Sequence, residues 1–227
     1  MLLHVPDVLS RDTLEQLRQI TAGTAWTDGR VTAGSQSEKT KNNLQIPADA
    51  PASREAGKIV LDCLGRSALF FTAALPRRIF PPLFNCYTGA TNSFGNHVDN
   101  AVRTVRATGK HLRTDLSATL FLSDPSEYDG GELIIEDSFG TQSIKLPAGD
   151  LILYPATSVH RVEPVTRGAR VASFFWIESM VREDNHRQLL FDLDMSILAL
   201  RGSIGDTREV VRLTACYHNL LRIWADV

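Results

Sequence analysis

The sequence has little cysteine, and its cysteines are not spaced for metal binding. Its 227 residues include three cysteines, Cys63, Cys86 and Cys216. An odd number of widely separated cysteines without a C-x-x-C motif argues against a disulfide framework and against a zinc ribbon. Such cysteine usage is typical of a reducing compartment, and we therefore expect a cytoplasmic protein.

The chain also lacks a marked charge excess and a long apolar run. Its 24 Lys and Arg residues nearly balance 26 Asp and Glu residues, which leaves a formal net charge of -2. No basic excess indicates a nucleic-acid partner. No stretch approaches the roughly 20 consecutive apolar residues that span a bilayer, and the first residues lack the basic start of a signal peptide. We expect neither a nucleic-acid partner nor membrane association.

The apolar pattern that is present predicts helices near the start of the chain, followed by strands. Stripes of apolar residues indicate one helix at residues 10–22, capped by Ser10, and another at residues 52–66. The polar segment 26–45 predicts a long loop or irregular strands, and loops of this length are often functional. Short apolar segments between turn signals then predict strands at residues 117–122, 132–136, 142–146, 151–154, 159–165 and 170–177. This pattern favours a mainly β protein with flanking helices, built as a sandwich or jelly roll.

The last 49 residues return to a helical pattern. One apolar stripe ends near Gly202, and a capping box at residues 206–209 predicts the start of a second helix. We therefore divide the chain into a core of residues 1–178 and a helical extension of residues 179–227. The extension either packs on the core or supports a homo-oligomer.

Two histidines and one aspartate form the pattern most suggestive of chemistry. His97 and Asp99 are two residues apart and would share a face if both lay on one strand, while His160 falls in a later strand. Two imidazoles and one carboxylate make the facial triad of non-haem Fe(II) oxygenases, which leaves coordination positions open. The alternative is that each histidine is an ordinary turn or strand residue whose ring bonds to a backbone carbonyl.

Arg170 follows His160 by ten residues. A predicted hairpin turn at residues 164–168 would place it on the neighbouring antiparallel strand, close to the metal. The fixed fork of an arginine suits a carboxylate, such as that of a 2-oxo acid. Strand alternation turns Arg161 away from this site. The alternative is that Arg170 is a solvated strand residue like Arg161 or Arg167.

One further segment leaves alternatives open, and another predicts a turn. The basic run of Arg103, Arg106, Lys110, His111 and Arg113 is either a solvated loop or a rim over the active site that receives an acidic substrate. The segment 129–132, with two adjacent glycines, predicts a hairpin turn with glycine at positive φ.

Several longer motifs resemble those of a known family. Segments that match prolyl-4-hydroxylase-like dioxygenases are residues 86–89, 94–101, 116–123, 129–133, 149–155, 158–162 and 168–170. The N-terminal signature of bacterial PKHD-type hydroxylases resembles residues 26–29, 32–34 and 41–45. The C-terminal helical pair is also similar to that group, so the resemblance covers nearly the whole chain.

The resemblance implies a double-stranded β-helix, or jelly roll, that uses Fe(II) and 2-oxoglutarate, with ascorbate to keep the iron reduced. Residues 1–178 would form the dioxygenase domain. Carried over position by position, His97, Asp99 and His160 would be the iron ligands, and Arg170 would bind the distal carboxylate of 2-oxoglutarate. Tyr87 would line the cosubstrate pocket or serve as a core tyrosine.

The implied activity is hydroxylation of a small-molecule or peptide substrate, prolyl or siderophore-like, with release of succinate and CO2. One departure is visible, because Leu120 and Phe121 stand where some prolyl hydroxylases have a tyrosine near the cosubstrate carboxylate. Three alternatives remain open at this point. They are a non-catalytic iron or 2-oxoglutarate sensor, a zinc-dependent hydrolase on the same three residues, and a metal-free binding module.

Overall fold

The computed structural model describes residues 1–32, 37–137 and 140–227. Residues 33 and 34, part of one motif noted above, lie outside this range. Among the described residues there are five α-helices: α1 Arg11–Ala22, α2 Pro51–Leu64, α3 Ala68–Ala74, α4 Asp184–Ile204 and α5 Arg208–Trp224.

The strands of the described residues are short except for the last. They are β1 Leu3–Val5, β2 Thr27–Asp28, β3 Lys41–Asn42, β4 Leu44–Gln45, β5 Pro76–Ile79, β6 Leu83–Thr88, β7 Ser93–His97, β8 Val102–Val105, β9 Lys110–Arg113, β10 Leu116–Phe121, β11 Tyr128–Gly130, β12 Leu133–Asp137, β13 Gly140–Ile144, β14 Leu151–Pro155, β15 Val159–Val162 and β16 Val165–Ser179.

Two antiparallel sheets form the jelly-roll core. The larger sheet has the order β1-β14-β10-β16-β6-β4-β2, with β5 and β11 also paired to β16. The smaller sheet has the order β13-β12-β15-β7-β3, and β8 and β9 form a separate hairpin. The expected fold class, mainly β with flanking helices and a C-terminal helical pair, is confirmed.

Strand alternation gives the larger sheet two different faces. On β10, Leu116, Ala118 and Leu120 pack with residues of α1 and α2 in the main apolar core. The intervening Ser117 and Thr119 line the space between the two sheets. The outer face of β10 is therefore apolar, whereas its inner face carries polar groups that line a site.

The two predicted N-terminal helices are present close to their expected bounds. The Ser10 hydroxyl caps α1 by accepting a hydrogen bond from the Thr13 backbone N–H at 3.2 Å. The short helix α3 was not predicted. It begins after Ser67, whose hydroxyl accepts from the Phe70 backbone N–H at 3.3 Å.

The predicted hairpin at residues 164–168 is wrong. Strand β15 lies in the smaller sheet between β12 and β7, whereas β16 lies in the larger sheet between β10 and β6. The connection at residues 163–164 therefore crosses from one sheet to the other. In a jelly roll, consecutive strands commonly belong to facing sheets, and a short connection does not imply that they pair.

The hairpin expected at residues 129–132 is wrong for the same reason. Strand β11 pairs with β16, and β12 pairs with β13 and β15 in the smaller sheet. The expected backbone conformation is present, however, with φ of 72° at Gly130 and 69° at Gly131. These glycines turn the chain between sheets rather than within one.

The two C-terminal helices pack against each other and against α3. Leu190 and Ile197 of α4 and Val210 and Tyr217 of α5 form a buried apolar cluster with Leu75. The second helix begins one residue later than the expected capping box, because the hydroxyl that accepts the Val210 backbone N–H is that of Thr207, at 3.4 Å. The division of the chain after residue 178 stays a prediction.

In the part of the chain that the structure describes, we find no helix with both the length and the apolarity needed to cross a bilayer.

Candidate metal centre

His97 and His160 meet because their strands are neighbours in the smaller sheet. His97 is the last residue of β7, and it lies directly opposite His160 of β15 in the antiparallel register. Asp99 lies beyond the end of β7 rather than on it, so the expectation that His97 and Asp99 share one strand face is wrong. The loop after the strand returns its carboxylate, and one ligand atom from each of the three residues lies within 4.8 Å of the others.

Hydrogen bonds to the backbone orient both imidazole rings. The Nδ1 atom of His97 donates to the Gly95 carbonyl at 2.9 Å, and Nδ1 of His160 donates to the Ser158 carbonyl at 3.0 Å. Since a carbonyl only accepts, each ring carries its proton on Nδ1 and leaves Nε2 available. This is the usual arrangement of a metal-binding histidine, whose second nitrogen is fixed by a backbone or carboxylate oxygen.

The Asp99 carboxylate is positioned by residues that sequence reasoning did not single out. The Ser117 hydroxyl donates to Asp99 Oδ2 at 2.6 Å, and the same oxygen lies 3.6 Å from Nε2 of His160. Thr114 holds the following loop, because its hydroxyl donates to the Asn100 carbonyl at 2.7 Å. A sequence signal for Ser117 did exist: with Thr119 it makes an alternating polar pair inside an otherwise apolar strand.

Burial sets the protonation of the site. It is the main reason why the pKa of His97 falls to about 4, with the neighbouring His160 as the second cause. A neutral imidazole is the form that binds a metal. Burial also raises the pKa of Tyr87 and, more strongly, that of Tyr154, so both phenols stay protonated beside the cavity.

Arg170 enters the same cavity from the larger sheet, not from the strand beside His160 as expected. It lies opposite Tyr87 of β6, and its side chain is buried with 1% exposure. Its guanidinium carbon lies 5.0 Å from the ring centroid of Phe121 and 5.4 Å from that of Tyr87. Among the described residues, no group accepts a hydrogen bond from its Nε atom. A buried cation with an unused donor is suited to an anionic ligand.

Gly131 leaves the space that the Arg170 side chain occupies. A Cβ atom at this position would lie 3.1 Å from Cδ of Arg170 and 2.8 Å from Cγ2 of Val165, and the φ of Gly131 is 69°. The turn between the sheets therefore needs glycine both for its backbone conformation and for the passage of the arginine.

The two competing arginines lie outside the cavity, as strand alternation predicts for Arg161. Arg161 Nε donates to Glu163 at 2.6 Å, and Arg167 Nε donates to Asp129 at 2.6 Å with more than half of its side chain exposed. Each guanidinium is engaged in an ion pair outside the cavity and is therefore not available to bind a ligand inside it. Tyr87, in contrast, is buried and lines the cavity beside Arg170.

The cavity between the sheets also receives residues from the segment predicted as a long functional loop. Lys41, Asn43 and Gln45 all line it. Of the basic run at residues 103–113, Arg103 lines the cavity, while His111 bonds to Thr104 on the exposed hairpin of β8 and β9. Arg103 therefore reaches the site, as expected for a rim over the active site. The rest of the hairpin lies outside the site, as expected for a solvated loop.

Comparison with known proteins agrees with this architecture. Residues 82–178 match the 2OG-Fe(II) oxygenase superfamily, and residues 184–226 match the PKHD-type hydroxylase C-terminal domain. The chain is 60% identical to a PKHD-type hydroxylase of Xanthomonas campestris pv. campestris (strain B100), over an alignment of 229 residues that covers 100% of both chains. It is 57% identical to a PKHD-type hydroxylase of Saccharophagus degradans, again with 100% of both chains covered.

The chain belongs to the PKHD-type hydroxylases. The resemblance is thereby confirmed, and the protein is an oxygenase enzyme of the 2OG-Fe(II) superfamily. More distant structures share its fold. A prolyl-4-hydroxylase of Pseudomonas putida has a TM-score of 0.52 and 18% identity, and covers 78% of this chain and 92% of its own. A prolyl hydroxylase from Trichoplax adhaerens has a TM-score of 0.56 and 14% identity, and covers 83% of this chain and 86% of its own.

The site residues fit the metal and cosubstrate that this superfamily implies. Two imidazoles and a carboxylate bring their ligand atoms within 4.8 Å of one another, which suits Fe(II) with coordination positions left open. The unused Nε atom of the buried Arg170 suits the distal carboxylate of 2-oxoglutarate.

Proposed function

We propose that this protein binds one Fe(II) ion through His97, Asp99 and His160 and 2-oxoglutarate through Arg170. It hydroxylates a C–H bond of a small-molecule or peptide substrate and releases succinate and CO2. The observation that carries the proposal is the placement of one cluster of ligand atoms and one buried arginine in the same cavity, on facing sheets.

The chemistry divides between the metal and the protein. Fe(II), when bound, activates O2 and couples the oxidative decarboxylation of 2-oxoglutarate to hydroxylation of the substrate. The protein's residues supply position and charge. Asp99, fixed by Ser117, contributes one negative charge to the metal site, and the lowered pKa of His97 keeps that imidazole neutral.

Arg170 sets the orientation of the cosubstrate. Its guanidinium is surrounded by the rings of Tyr87 and Phe121 and by the backbone turn at Gly131. In this apolar surrounding a carboxylate pairs with the arginine more strongly than it would in water. A 2-oxoglutarate bound at Arg170 would share the cavity with the three metal-ligand candidates, which line it as well.

Tyr87 is the second cosubstrate residue of the proposal. Its ring forms one wall of the Arg170 site, and burial keeps its phenol protonated. Phe121 forms another wall where some prolyl hydroxylases have a tyrosine. Arg170 therefore meets an apolar ring on that side, and the proposed carboxylate contact relies more on the arginine itself.

Anaerobic reconstitution tests the metal and cosubstrate assignment. Fe(II) and 2-oxoglutarate together should give a weak visible charge-transfer band, because an open three-ligand site lets the 2-oxo acid chelate the iron. Zn(II) is the matched control, since its filled d shell gives no such band. Absence of the band at saturating ligand would contradict the assignment.

Turnover tests the hydroxylase assignment. With O2 and ascorbate present, candidate substrates are screened for stimulated succinate release, which is measured against enzyme without substrate. The wild-type protein should release succinate and lose this activity in the His97→Ala variant. Binding of Fe(II) and 2-oxoglutarate without succinate release from any candidate would favour the sensor, and hydrolysis supported by Zn(II) would favour the hydrolase.

A further inference from the structure

Tyr128 of β11 brings a buried phenol to the side of Arg170. The tyrosine is wholly buried, and its ring belongs to the apolar cluster of Tyr87 and Phe121, the two rings that lie against the guanidinium. We propose that the Tyr128 hydroxyl is a further hydrogen-bond donor to the distal carboxylate of 2-oxoglutarate, next to Arg170. This inference rests on the proposed function, because it adds one residue to the same cosubstrate site.

Strand pairing places Tyr128 and Phe121 on either side of Arg170 along β16. Tyr128 is the register partner of Gly168, two residues before Arg170, and Phe121 is that of Ala172, two residues after it. Both rings belong to the same buried cluster. Arg170 therefore has an aromatic neighbour at each end, and of these two only Tyr128 carries a hydroxyl.

The turn at Gly131 lets Tyr128 and Arg170 approach each other. A Cβ atom at Gly131 would lie 3.0 Å from Cε2 of Tyr128 and 3.1 Å from Cδ of Arg170. The phenol ring and the arginine side chain therefore border the same space, which glycine leaves open. The position of the hydroxyl beside the guanidinium thus depends on the backbone of this turn.

Both side chains carry a hydrogen-bond donor that has no acceptor. The Tyr128 hydroxyl and the Nε atom of Arg170 are buried, and neither has a hydrogen-bond partner within the described part of the chain. A guanidinium has donors only. Even a guanidinium that donated to the phenol oxygen would leave the proton of the phenol without an acceptor. Because unpaired buried donors cost free energy, the two groups together suit a ligand that supplies acceptors.

The phenol of Tyr128 stays protonated and can therefore donate. Burial raises its pKa, and this effect outweighs the opposing influence of the positive charge of Arg170. The carboxylates of 2-oxoglutarate, when ionised, are acceptors only. One such carboxylate can accept from the phenol and from the guanidinium at once, and a hydrogen bond to a charged acceptor is stronger than one between neutral groups.

The acidic side chains that act on this phenol are held by other partners. Glu132 and Asp124 influence Tyr128 through their charge alone. The Glu132 carboxylate lies 4.0 Å from Nζ of Lys145, which also donates to the Tyr128 carbonyl at 2.9 Å. Asp124 accepts from the backbone N–H of Ser126 at 3.0 Å. The acceptor for the Tyr128 hydroxyl is therefore expected from a ligand.

Two 2-oxo acids isolate the proposed contact. Full-length protein is loaded with Mn(II) under anaerobic conditions, and 2-oxoglutarate and 2-oxopentanoate are titrated by calorimetry. Both ligands have the same 2-oxo acid group and chain length, but 2-oxopentanoate lacks the distal carboxylate. Tyr128→Phe should bind 2-oxoglutarate about tenfold to a hundredfold more weakly than the wild type, the size expected for a hydrogen bond to a charged group. Its affinity for 2-oxopentanoate should change less than about twofold.

Tyr217→Phe is the matched control, because it removes a phenol oxygen from the cluster of the C-terminal helices. Its affinity for 2-oxoglutarate should stay within about twofold of the wild type. Thermal unfolding without ligand gives a second measurement. Since the Tyr128 hydroxyl has no partner in the described chain, Tyr128→Phe should unfold at the wild-type temperature or above it. A lower unfolding midpoint would show that the hydroxyl serves the protein itself and would overturn the proposal.

A second background separates direct contact from an effect through Arg170. Arg170→Lys keeps the positive charge but not the fork of the guanidinium. In this background, Tyr128→Phe should still weaken 2-oxoglutarate binding by about tenfold. If the double variant shows no further loss, Tyr128 acts only by positioning Arg170, and the proposed contact with the carboxylate is wrong.

Failure of this inference is distinguishable from failure of the proposed function. A wild-type protein that does not bind Mn(II), or that binds 2-oxoglutarate no more tightly than 2-oxopentanoate, would contradict the proposed function. A wild-type protein that prefers 2-oxoglutarate, together with a Tyr128→Phe variant that keeps this preference in full, would overturn only the role of Tyr128.

Discussion

His97 and His160 face each other across two neighbouring antiparallel strands, with ring centroids 4.2 Å apart and ring planes inclined by 52°. Strand pairing brings the two residues together, and each ring is fixed by the carbonyl two residues earlier in the chain. The apolar sheet thus sets the distance between the imidazoles before any ligand binds. Asp99 completes the cluster from a loop, and it is the ligand candidate whose position depends most on side-chain contacts.

Replacement of any of the three ligand candidates should abolish metal binding. His97→Ala, Asp99→Ala and His160→Ala each remove one of three ligands, which should cost more than the roughly 10–100-fold seen for outer-shell changes. Metal content and far-UV circular dichroism are measured on the same samples. His111→Ala, on the exposed hairpin, is the control. A variant with wild-type metal content would show that its residue is not a ligand.

Ser117→Ala should weaken metal binding without removing a ligand. The Ser117 hydroxyl fixes the Asp99 carboxylate at 2.6 Å. Loss of such a partner typically costs about 10–100-fold in metal affinity or activity. Mn(II) affinity is measured by titration, with Ser196→Ala as the control because its hydroxyl bonds only to a carbonyl within α4. Equal affinities in the two variants would contradict a positioning role for Ser117.

Arg170→Ala should weaken 2-oxoglutarate binding strongly and metal binding little. Removing one partner of a buried charge pair costs about 2–5 kcal/mol, which corresponds to roughly 30-fold to several thousandfold in affinity. Arg170→Lys should recover part of the loss, since it keeps the charge but not the fork. Equilibrium titration of 2-oxoglutarate checks this.

Arg161→Ala and Arg167→Ala are the matched controls for Arg170. Both arginines form ion pairs outside the cavity, and such exposed pairs contribute less than about 1 kcal/mol. Each control should therefore change 2-oxoglutarate affinity by less than roughly fivefold. A larger effect in either control than in Arg170→Ala would transfer the carboxylate-binding role to that residue.

Leu190→Ala should destabilise the protein through the C-terminal helices. Leu190 is fully buried in the cluster between α4, α5 and Leu75. Replacing a buried leucine by alanine costs about 2–5 kcal/mol. Its neighbour Leu189 is 57% exposed, and Leu189→Ala should change stability by less than about 0.5 kcal/mol. Urea unfolding of both variants measures the difference, and equal midpoints would show that the helices contribute no core.

The residues of the candidate centre could be predicted from sequence because each carries a local signal. His97 and Asp99 are marked by their H-x-D spacing, although Asp99 lies beyond the end of β7, and His160 falls in a predicted strand. Strand alternation turns Arg161 away from the site, and like the H-x-D spacing it depends only on the nearest few residues. The structure brings all four selected residues into one cavity.

The pairing of strands could not be predicted in the same way. The alternation of side chains along a strand predicts which residues share a face, but it does not predict which sheet the strand joins. Strands β15 and β16 are separated by two residues, yet they belong to different sheets. Arg170 therefore reaches the cavity from the opposite side to that expected. The role of Ser117 is a related case, since the alternating polar pair Ser117 and Thr119 predicts a polar inner face but not the contact of Ser117 with Asp99.

Gly131→Ala should weaken 2-oxoglutarate binding through the position of Arg170. A Cβ atom at residue 131 would meet Cδ of Arg170 at 3.1 Å and Cγ2 of Val165 at 2.8 Å, so one of these groups must move. Gly109→Ala is the matched control, because Gly109 has nearly the same φ, +67° against +69°, and nothing lies within 4 Å of its Cβ position. Both variants carry the backbone cost of a left-handed alanine, about 1–2 kcal/mol.

The two glycine variants therefore have nearly the same backbone φ and differ in the contacts of the added Cβ atom, which at residue 131 would meet Val165, Tyr128 and Arg170. We expect both to lower the unfolding midpoint, Gly131→Ala further than Gly109→Ala, and only Gly131→Ala to lose 2-oxoglutarate affinity. Metal affinity should stay unchanged in both, since the three ligand candidates lie on other segments. Equal 2-oxoglutarate affinities in the two variants would mean that Arg170 does not depend on the space that Gly131 leaves.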